Sequence, residues 1–187
     1  AILESLRQQP APTARGALAG VVTGRDHALT NRLSALTHYT AGLDAASEAG
    51  LLEVARALED GPVLAEALKQ TAKRSLRQAS VLFAAKLDST EPLVRIAAIE
   101  GVAELQITDA SDSVRRLMAD SNGRVRQAAA AAAGALRIQS AREPLLNLAQ
   151  EADPALRRTS LDSLRLLKEP RVVPLALDAL GNRETQL

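Results

Sequence analysis

The sequence contains no cysteine and no tryptophan, and Tyr39 and Phe83 are its only aromatic residues. Without cysteine the chain can form no disulfide framework, no thiolate zinc site and no cysteine nucleophile. The scarcity of aromatic side chains argues against a compact single-core domain, where they normally supply much of the buried surface. Thin layers of closely packed helices do not need them. The composition therefore favours an all-helical stack over a β-sandwich or a barrel.

Neither sign of charge predominates, and long apolar runs are absent. The 23 basic and 22 acidic residues leave a formal net charge of +1, unlike the strongly basic balance of a dedicated nucleic-acid-binding protein. The apolar run at residues 128–133 is flanked by Arg126 and Arg137 and falls far short of the ~18 residues expected of a spanning helix. We predict no membrane span. The compartment, bacterial cytoplasm or periplasm, stays open.

An internal repeat runs through most of the chain, and its period is the constant interval that separates Arg95, Arg126 and Arg157. Its five copies are aligned on position 0, occupied by Arg32, Leu64, Arg95, Arg126 and Arg157. Three residues later every side chain is small, as seen at Ala35, Ala67, Ala98, Ala129 and Ser160. Four residues later every side chain is apolar, as seen at Leu36, Leu68, Ile99, Ala130 and Leu161. Offsets of three and four, continued at seven and ten, mark one face of a helix.

A second helical pattern fills the segments between these helices, so each copy is predicted to be two short antiparallel helices. The predicted pairs are 13–23 with 28–42, 46–58 with 61–72, 75–87 with 91–106, 110–119 with 123–137, and 141–150 with 153–167. A helix pair of this size cannot bury its apolar face alone, so neighbouring pairs must stack on it. The predicted fold is therefore an all-α solenoid, a right-handed superhelix of antiparallel helix pairs.

The whole chain, residues 1–187, is predicted to be a single array of about five helix pairs. Partial repeats are expected at both ends, a lone helix at 1–8 and the opening helix of a further repeat at 172–181. Intact solenoids end in polar capping repeats. Because these end segments carry apolar residues such as Leu3 and Val173, we expect the array to be a piece of a longer protein.

Three short strings resemble the HEAT-repeat family: VRIAA at 94–98, VRQAAA at 125–130 and GAL at 134–136. They are most similar to the short bacterial form of the repeat, which is also found in phycobilin lyase subunits. The resemblance is strong from about residue 76 to 180, weaker over 28–75 and poor before residue 25. It implies a curved solenoid whose second helices line the concave face.

The resemblance also implies a pairing between the repeat arginine and an acid at the turn between the two helices. Asp120 and Asp153 match that position, and Asp88 matches it less closely. From the residues alone, we expect Arg95, Arg126 and Arg157 to form a ladder of salt bridges between repeats.

Patterns that carry enzyme chemistry are missing. The two histidines, His27 and His38, are widely separated in the sequence, whereas a metal-binding pair on a helix usually has a spacing of four with a carboxylate nearby. No His-Glu dipeptide, Gly-x-Ser-x-Gly elbow or glycine-rich phosphate loop occurs. We predict a protein that is not an enzyme, with no catalytic, metal or cofactor residues, no cofactor and no small-molecule substrate.

The leading hypothesis is a non-catalytic interaction scaffold that binds a protein or peptide partner across the repeat surface. The alternative is an accessory structural segment of a larger multidomain bacterial enzyme, because similar arrays occur in secreted dehydrogenase and cytochrome c-type proteins. A phycobilin-lyase-like role is disfavoured because nothing beyond the repeat supports it. Nucleic-acid binding is disfavoured too, because acids dilute the many arginines of the C-terminal segment 113–187 and aromatic residues are lacking.

Candidate contact positions with a partner are polar residues on otherwise apolar helices. They are Arg116, Asn147, Arg158 and Arg165.

The small residues three places after position 0, here called the small column, give a direct test of the repeat alignment. Replacing Ala98 with leucine should overpack the space between neighbouring helices and cost about 1–3 kcal/mol of unfolding free energy. Thermal melting measures this loss, and an unchanged melting temperature would contradict the alignment.

Overall fold

The computed structural model describes residues 11–41, 43, 48–175 and 177. Within these ranges the chain forms α-helices and short 3-10 turns and contains no strand. The helices are α1 (Ala11–Thr23), α2 (Leu29–Ala41), α3 (Glu48–Ala57), α4 (Pro62–Lys73), α5 (Ser80–Lys86), α6 (Pro92–Glu104), α7 (Ser111–Leu117), α8 (Gly123–Ala135), α9 (Arg142–Leu148) and α10 (Pro154–Leu166). Residues 172–175 and 177 are also helical, whereas the helix predicted at 1–8 lies outside the described residues.

The chain divides into two compact units, residues 1–101 and residues 102–187. In the first unit, α1 packs on α2, and α4 packs on both α2 and α3. In the second unit, α7 packs on α8, α9 packs on α10, and α8 packs on α10. Consecutive helices joined by short turns thus form pairs, which confirms the all-α solenoid class. The right-handed sense and the single array over 1–187 remain predictions.

The helix boundaries reproduce the period found in the sequence. The first helices α5, α7 and α9 begin at Ser80, Ser111 and Arg142, at the same interval as the repeat arginines. The second helices α6, α8 and α10 keep this interval as well. Each of these first helices is preceded by a short 3-10 turn, at Arg77–Ala79, Thr108–Ala110 and Gln139–Ala141. The predicted helix pairs are therefore confirmed, with ends that differ by a few positions.

The small column lies at the centre of the packing between helices. All five of its members, Ala35, Ala67, Ala98, Ala129 and Ser160, have no exposed surface. In the second unit α8 and α10 approach even more closely at Gly134. A Cβ atom added there would lie 2.8 Å from the Cα atom of Ser163, and the Ser163 hydroxyl donates a hydrogen bond to the Ala130 carbonyl at 2.8 Å. Side-chain volume at these positions therefore limits how closely the helices can pack.

Four second helices end in the same backbone motif, and none of them uses glycine for it. The residue in the left-handed conformation, with φ of 54° or 55°, is Ser75, Gln106, Arg137 or Lys168. After α8, the Arg137 N–H donates to the Gly134 carbonyl at 3.1 Å and the Ile138 N–H donates to the Ala133 carbonyl at 3.0 Å. This bonding pattern is the Schellman motif, which satisfies carbonyls left free at a helix end.

The residue that follows the left-handed position is normally apolar, but the last copy carries Glu169. Leu76 and Ile138 occupy that place in earlier copies and are buried. Glu169 is just as buried, at 5% exposure, and accepts a hydrogen bond from Arg171 Nε at 2.7 Å. That bond holds the pKa of the Glu169 carboxyl below its usual range despite burial. Its stabilising contribution is therefore present above the unfolded-state pKa and is lost as pH falls through the folded-state pKa.

Replacing Arg137 with glycine should stabilise the protein. A left-handed conformation costs a residue with a Cβ atom roughly 1–2 kcal/mol, while glycine loses about 0.5–1 kcal/mol of unfolded-chain entropy, so the expected net gain is about 0.5–1 kcal/mol. Urea denaturation measures the change. Arg137→Ala is the control, because it removes the same side chain and keeps the Cβ atom. A glycine variant no more stable than the alanine variant would contradict the expectation.

Candidate functional site

Arginines at the start of the second helices reach back over the preceding turn and bind its carbonyl oxygens. Arg126 Nη1 donates to the Asp120 carbonyl at 3.0 Å, and Arg157 Nη2 donates to the Glu151 carbonyl at 3.1 Å. Arg95 Nη1 donates to the Ser89 carbonyl at 2.7 Å. Carbonyls at a helix end have no partner within their own helix. The repeat arginine therefore fixes the turn that joins the two helices of its pair.

Ion pairs to the next repeat are formed at Arg126 and at Arg32. In the second unit Arg126 Nη2 lies 3.0 Å from Glu151 Oε2. In the first unit the buried Arg32 lies 2.5 Å from Glu59, and this hydrogen bond lowers the pKa of the Glu59 carboxyl below its usual range. The expected ladder of salt bridges is thus confirmed at Arg126.

The implied acid pairing is wrong at the last copy, whereas the ladder there stays a prediction because most of the following repeat lies outside the described residues. Among the described residues no carboxylate pairs with Arg157, which donates to the carbonyls of Glu151 and Ala152. Asp153 caps α10 instead, because its Oδ1 atom accepts the N–H of Ala155 at 2.8 Å and that of Leu156 at 3.4 Å. An acid placed just before a helix binds the free N–H groups of the first turn. Asp120 similarly accepts the Asn122 N–H at 2.8 Å.

An open groove of about 960 Å³ lies in the second unit between α7 and α9. The apolar part of its lining comes from Met118, Ala119, Pro144 and Leu148, of which Met118 and Leu148 are nearly fully buried. The polar part comes from Asp112, Ser113, Arg115, Arg116, Asp120, Arg126, Asn147 and Glu151. Because Arg126 ties Glu151 to the turn at Asp120, the same contacts that hold the helix pairs together also fix one end of this groove.

The polar groups of the groove differ in how fully they are bonded. Arg115 Nη2 lies 3.6 Å from Asp112 Oδ1, an ion pair whose side chains are 45% and 92% exposed. Such exposed pairs contribute little to stability and exchange readily. Within the part of the chain that the structure describes, the side-chain amide of Asn147 has no hydrogen-bond partner. The groove therefore contains a loosely held cation and an unused amide beside the firmly paired Arg126 and Glu151.

The structure brings together two of the four predicted contact residues. Arg116 on α7 and Asn147 on α9 line the groove, at equivalent positions of successive repeats. Arg158 and Arg165 are exposed on α10 and do not line it. Sequence reasoning missed Arg115, which lies next to Arg116 on the same helix. The helical pattern marks residues that face the core, and it does not say which of the outward residues share a groove.

Features typical of metal sites and membrane spans are absent from the described ranges. His27 and His38 are both exposed. No cluster of three or more histidine, cysteine or acidic residues there is arranged to hold a metal ion. None of the described helices has both the length and the apolar character needed to cross a bilayer.

Comparison with known proteins gives one family match. The sequence profile described as HEAT repeats matches residues 79–151 and 116–187, two overlapping stretches that together cover 79–187. No curated protein matches the sequence. Among solved structures, the crystal structure of an engineered protein from a structural genomics consortium is 17% identical, with 96% of this chain and 83% of that chain covered and a TM-score of 0.45.

Replacing Arg126 with lysine removes hydrogen-bond donors that hold the turn beside the groove and should destabilise the protein. Arg126→Lys retains the charge but cannot bind the Asp120 carbonyl and the Glu151 carboxylate with one rigid fork, so we expect a loss of about 1–2 kcal/mol in unfolding free energy. Urea denaturation measures the loss. Arg124→Lys, an exposed change on the same helix, is the matched control. Equal stability of the two variants would show that the contacts of Arg126 contribute nothing.

Proposed function

Because this chain belongs to the HEAT-repeat family, whose repeats generally serve as protein-interaction scaffolds, we propose that it is a non-catalytic scaffold that binds a protein or peptide partner across its repeat surface. The family profile matches residues 79–187, more than half of the chain, and includes the whole groove of the second unit.

The groove between α7 and α9 is the observation that carries this proposal. Its volume of about 960 Å³ is at the upper end of the roughly 300–1,000 Å³ typical of ligand sites. A site for a small molecule usually encloses most of its ligand, whereas this groove is open along one side. An apolar lining from Met118 and Leu148, flanked by polar side chains, suits a segment of polypeptide that lies along the surface.

The groove residues also support a binding role over a catalytic one. Ser113 is the one hydroxyl among the lining residues, and no histidine lines the groove. A serine needs an adjacent base to act as a nucleophile. Arg126 and Glu151 neutralise each other at 3.0 Å, so their charges stabilise the turn. The contact residues that we propose are accordingly Arg116 and Asn147 in the groove. Arg158 and Arg165 on α10 form the alternative contact surface for the same partner.

A peptide library displayed on phage and selected on the purified chain tests the proposal. We expect enriched peptides to bind the Arg116→Ala/Asn147→Ala variant at least tenfold more weakly, a difference of about 1.4 kcal/mol in binding free energy. The Arg158→Ala/Arg165→Ala variant is the matched control, because it also truncates two exposed polar side chains of the second unit. It should bind the peptides as the unmodified chain does.

The possible results separate the two surfaces. Loss of binding with the α10 variant alone would move the contact surface from the groove to the second helices and overturn the groove assignment. Selection that enriches no peptide, or peptides that bind all variants equally, would contradict the scaffold proposal for this surface. Melting curves of each variant check that the fold is retained.

A further inference from the structure

We propose that Asn122 is a site of self-modification, at which the side-chain amide is converted to a carboxylate by reaction with the backbone of Gly123 when the first turn of α8 opens. Asn122-Gly123 is the only Asn-Gly dipeptide in the sequence. The other asparagines, Asn31, Asn147 and Asn182, are followed by arginine or leucine. This inference is independent of the proposed function, because it concerns the turn that leads into α8.

The reaction needs the two residues and water. The Gly123 nitrogen attacks the Cγ atom of Asn122, and the new C–N bond closes a succinimide ring. The side-chain nitrogen leaves as ammonia with the proton that the Gly123 nitrogen gives up. Water then opens the ring at either carbonyl and leaves an aspartyl or an isoaspartyl residue. Glycine favours ring closure because it has no Cβ atom to hinder its nitrogen, and a nucleophile held beside its target reacts far faster than a separate molecule.

The fold restrains both partners of this reaction. Asn122 is the N-cap of α8, and its Oδ1 atom accepts the N–H of Arg124 at 3.0 Å and that of Val125 at 3.3 Å. The Asn122 N–H donates to Asp120 Oδ1 at 2.8 Å. Gly123 is the first residue of α8, so its backbone is held in the helix. Ring closure places the Asn122 side chain in one ring with the Gly123 nitrogen, so the cap has to be given up first.

The turn before α8 decides how often the cap opens. Helix ends and turns open at a much lower free-energy cost than a buried core. Asn122 and Gly123 are half-buried, and Ser121 before them is exposed. Arg126 holds this turn closed, because its Nη1 atom donates to the carbonyls of Asp120 at 3.0 Å and Ser121 at 3.4 Å. The rate of modification should therefore follow the opening of this turn, which Arg126 opposes.

One product of the reaction suits the helix and the other does not. In the next copy Asp153 takes the place of Asn122 and caps α10 with the same two hydrogen bonds, from the Ala155 N–H at 2.8 Å and the Leu156 N–H at 3.4 Å. An aspartyl residue at position 122 can therefore restore the cap, and its negative charge is favourable at a helix N-terminus. An isoaspartyl residue carries an extra methylene group in the backbone, which shifts the carboxylate away from these N–H groups.

The aspartyl product adds a negative charge beside the groove of the second unit. Asn122 is bonded to Asp120, and both Asp120 and Arg126 line that groove. A second carboxylate two residues from Asp120 makes this end of the groove more acidic without any other change in the chain. Because ammonia is lost, the change in charge is permanent.

Peptide mapping by mass spectrometry on the full chain tests this inference. The chain is kept at neutral pH below its melting transition, and deamidation is followed over time at each asparagine. The free peptide Ser-Asn-Gly-Arg-Val-Arg, residues 121–126, is the unfolded reference. We expect the fastest modification of the chain at Asn122, at a rate at least roughly tenfold below that of the free peptide. Arg126→Lys should raise the rate in the chain about fivefold, because the turn opens more often.

Gly123→Ala is the control for ring closure. A Cβ atom added at Gly123 would lie 3.9 Å from Arg126 Nη2, an ordinary van der Waals distance, so this variant should keep the fold. Its methyl group should slow the modification at least roughly tenfold. Arg158→Lys, an exposed change on α10, should leave the rate as it is. Low concentrations of urea favour local opening and should raise the rate in the original chain.

The outcomes that would overturn the inference are distinct. Asn122 that stays unmodified in both the original chain and Arg126→Lys, while the free peptide reacts, would exclude the site. Equal rates in the original chain and the free peptide would show that the cap does not control the reaction. An undiminished rate in Gly123→Ala would exclude ring closure.

The fate of the aspartyl product has a separate test that does not depend on reaction rates. Asn122→Asp reproduces this product and should melt at or above the temperature of the original chain, because the acid keeps the cap. Asn122→Ala removes the acceptor and should melt at a lower temperature. The reverse order would contradict the claim that the modified residue restores the cap.

Discussion

The close packing of successive second helices is the constraint on which the rest of this structure depends. A single helix pair cannot bury its apolar face, so each pair is stable only against its neighbour. The column from Ala35 to Ser160 keeps one position in every copy small and fully buried, and this lets the backbones approach. At Gly134 the approach leaves no room for even a methyl group beside Ser163. The side-chain size at this one position of the repeat therefore sets the distance between neighbouring second helices, and the turns and first helices are arranged around them.

Both ends of the second helices are secured by backbone-directed contacts, which leaves the outward side chains free to vary. An arginine such as Arg126 binds the carbonyls of the turn before the helix, and a left-handed residue such as Arg137 closes the end after it. Neither contact uses the side chain of a neighbouring turn residue, so the motif survives substitution there. The clearest case is Glu169, which replaces an apolar residue and remains buried because Arg171 binds its carboxylate.

The groove is a consequence of this arrangement. The first helices α7 and α9 are much shorter than the second helices that they pack against, and their outward positions bear none of the packing. The position that is Arg116 in one copy is Asn147 in the next, so the polar lining changes from repeat to repeat while the core columns stay small or apolar. Packing between repeats restricts the buried positions to small or apolar residues but places no such limit on the outward positions. One fold can therefore present different binding surfaces.

The sequence by itself determined the all-α class, the period of the repeat, the helix pairs and the buried columns, because each of these follows from the spacing of apolar and small residues along one chain. It also identified Arg116 and Asn147 as polar positions on apolar helices. Only the tertiary structure decided that these two share a groove while Arg158 and Arg165 do not, and that Arg126 reaches Glu151. Periodicity records which side of a helix faces the core. Which polar side chains meet across different helices depends on how the turns direct those helices in space, and that information is not carried by any local pattern.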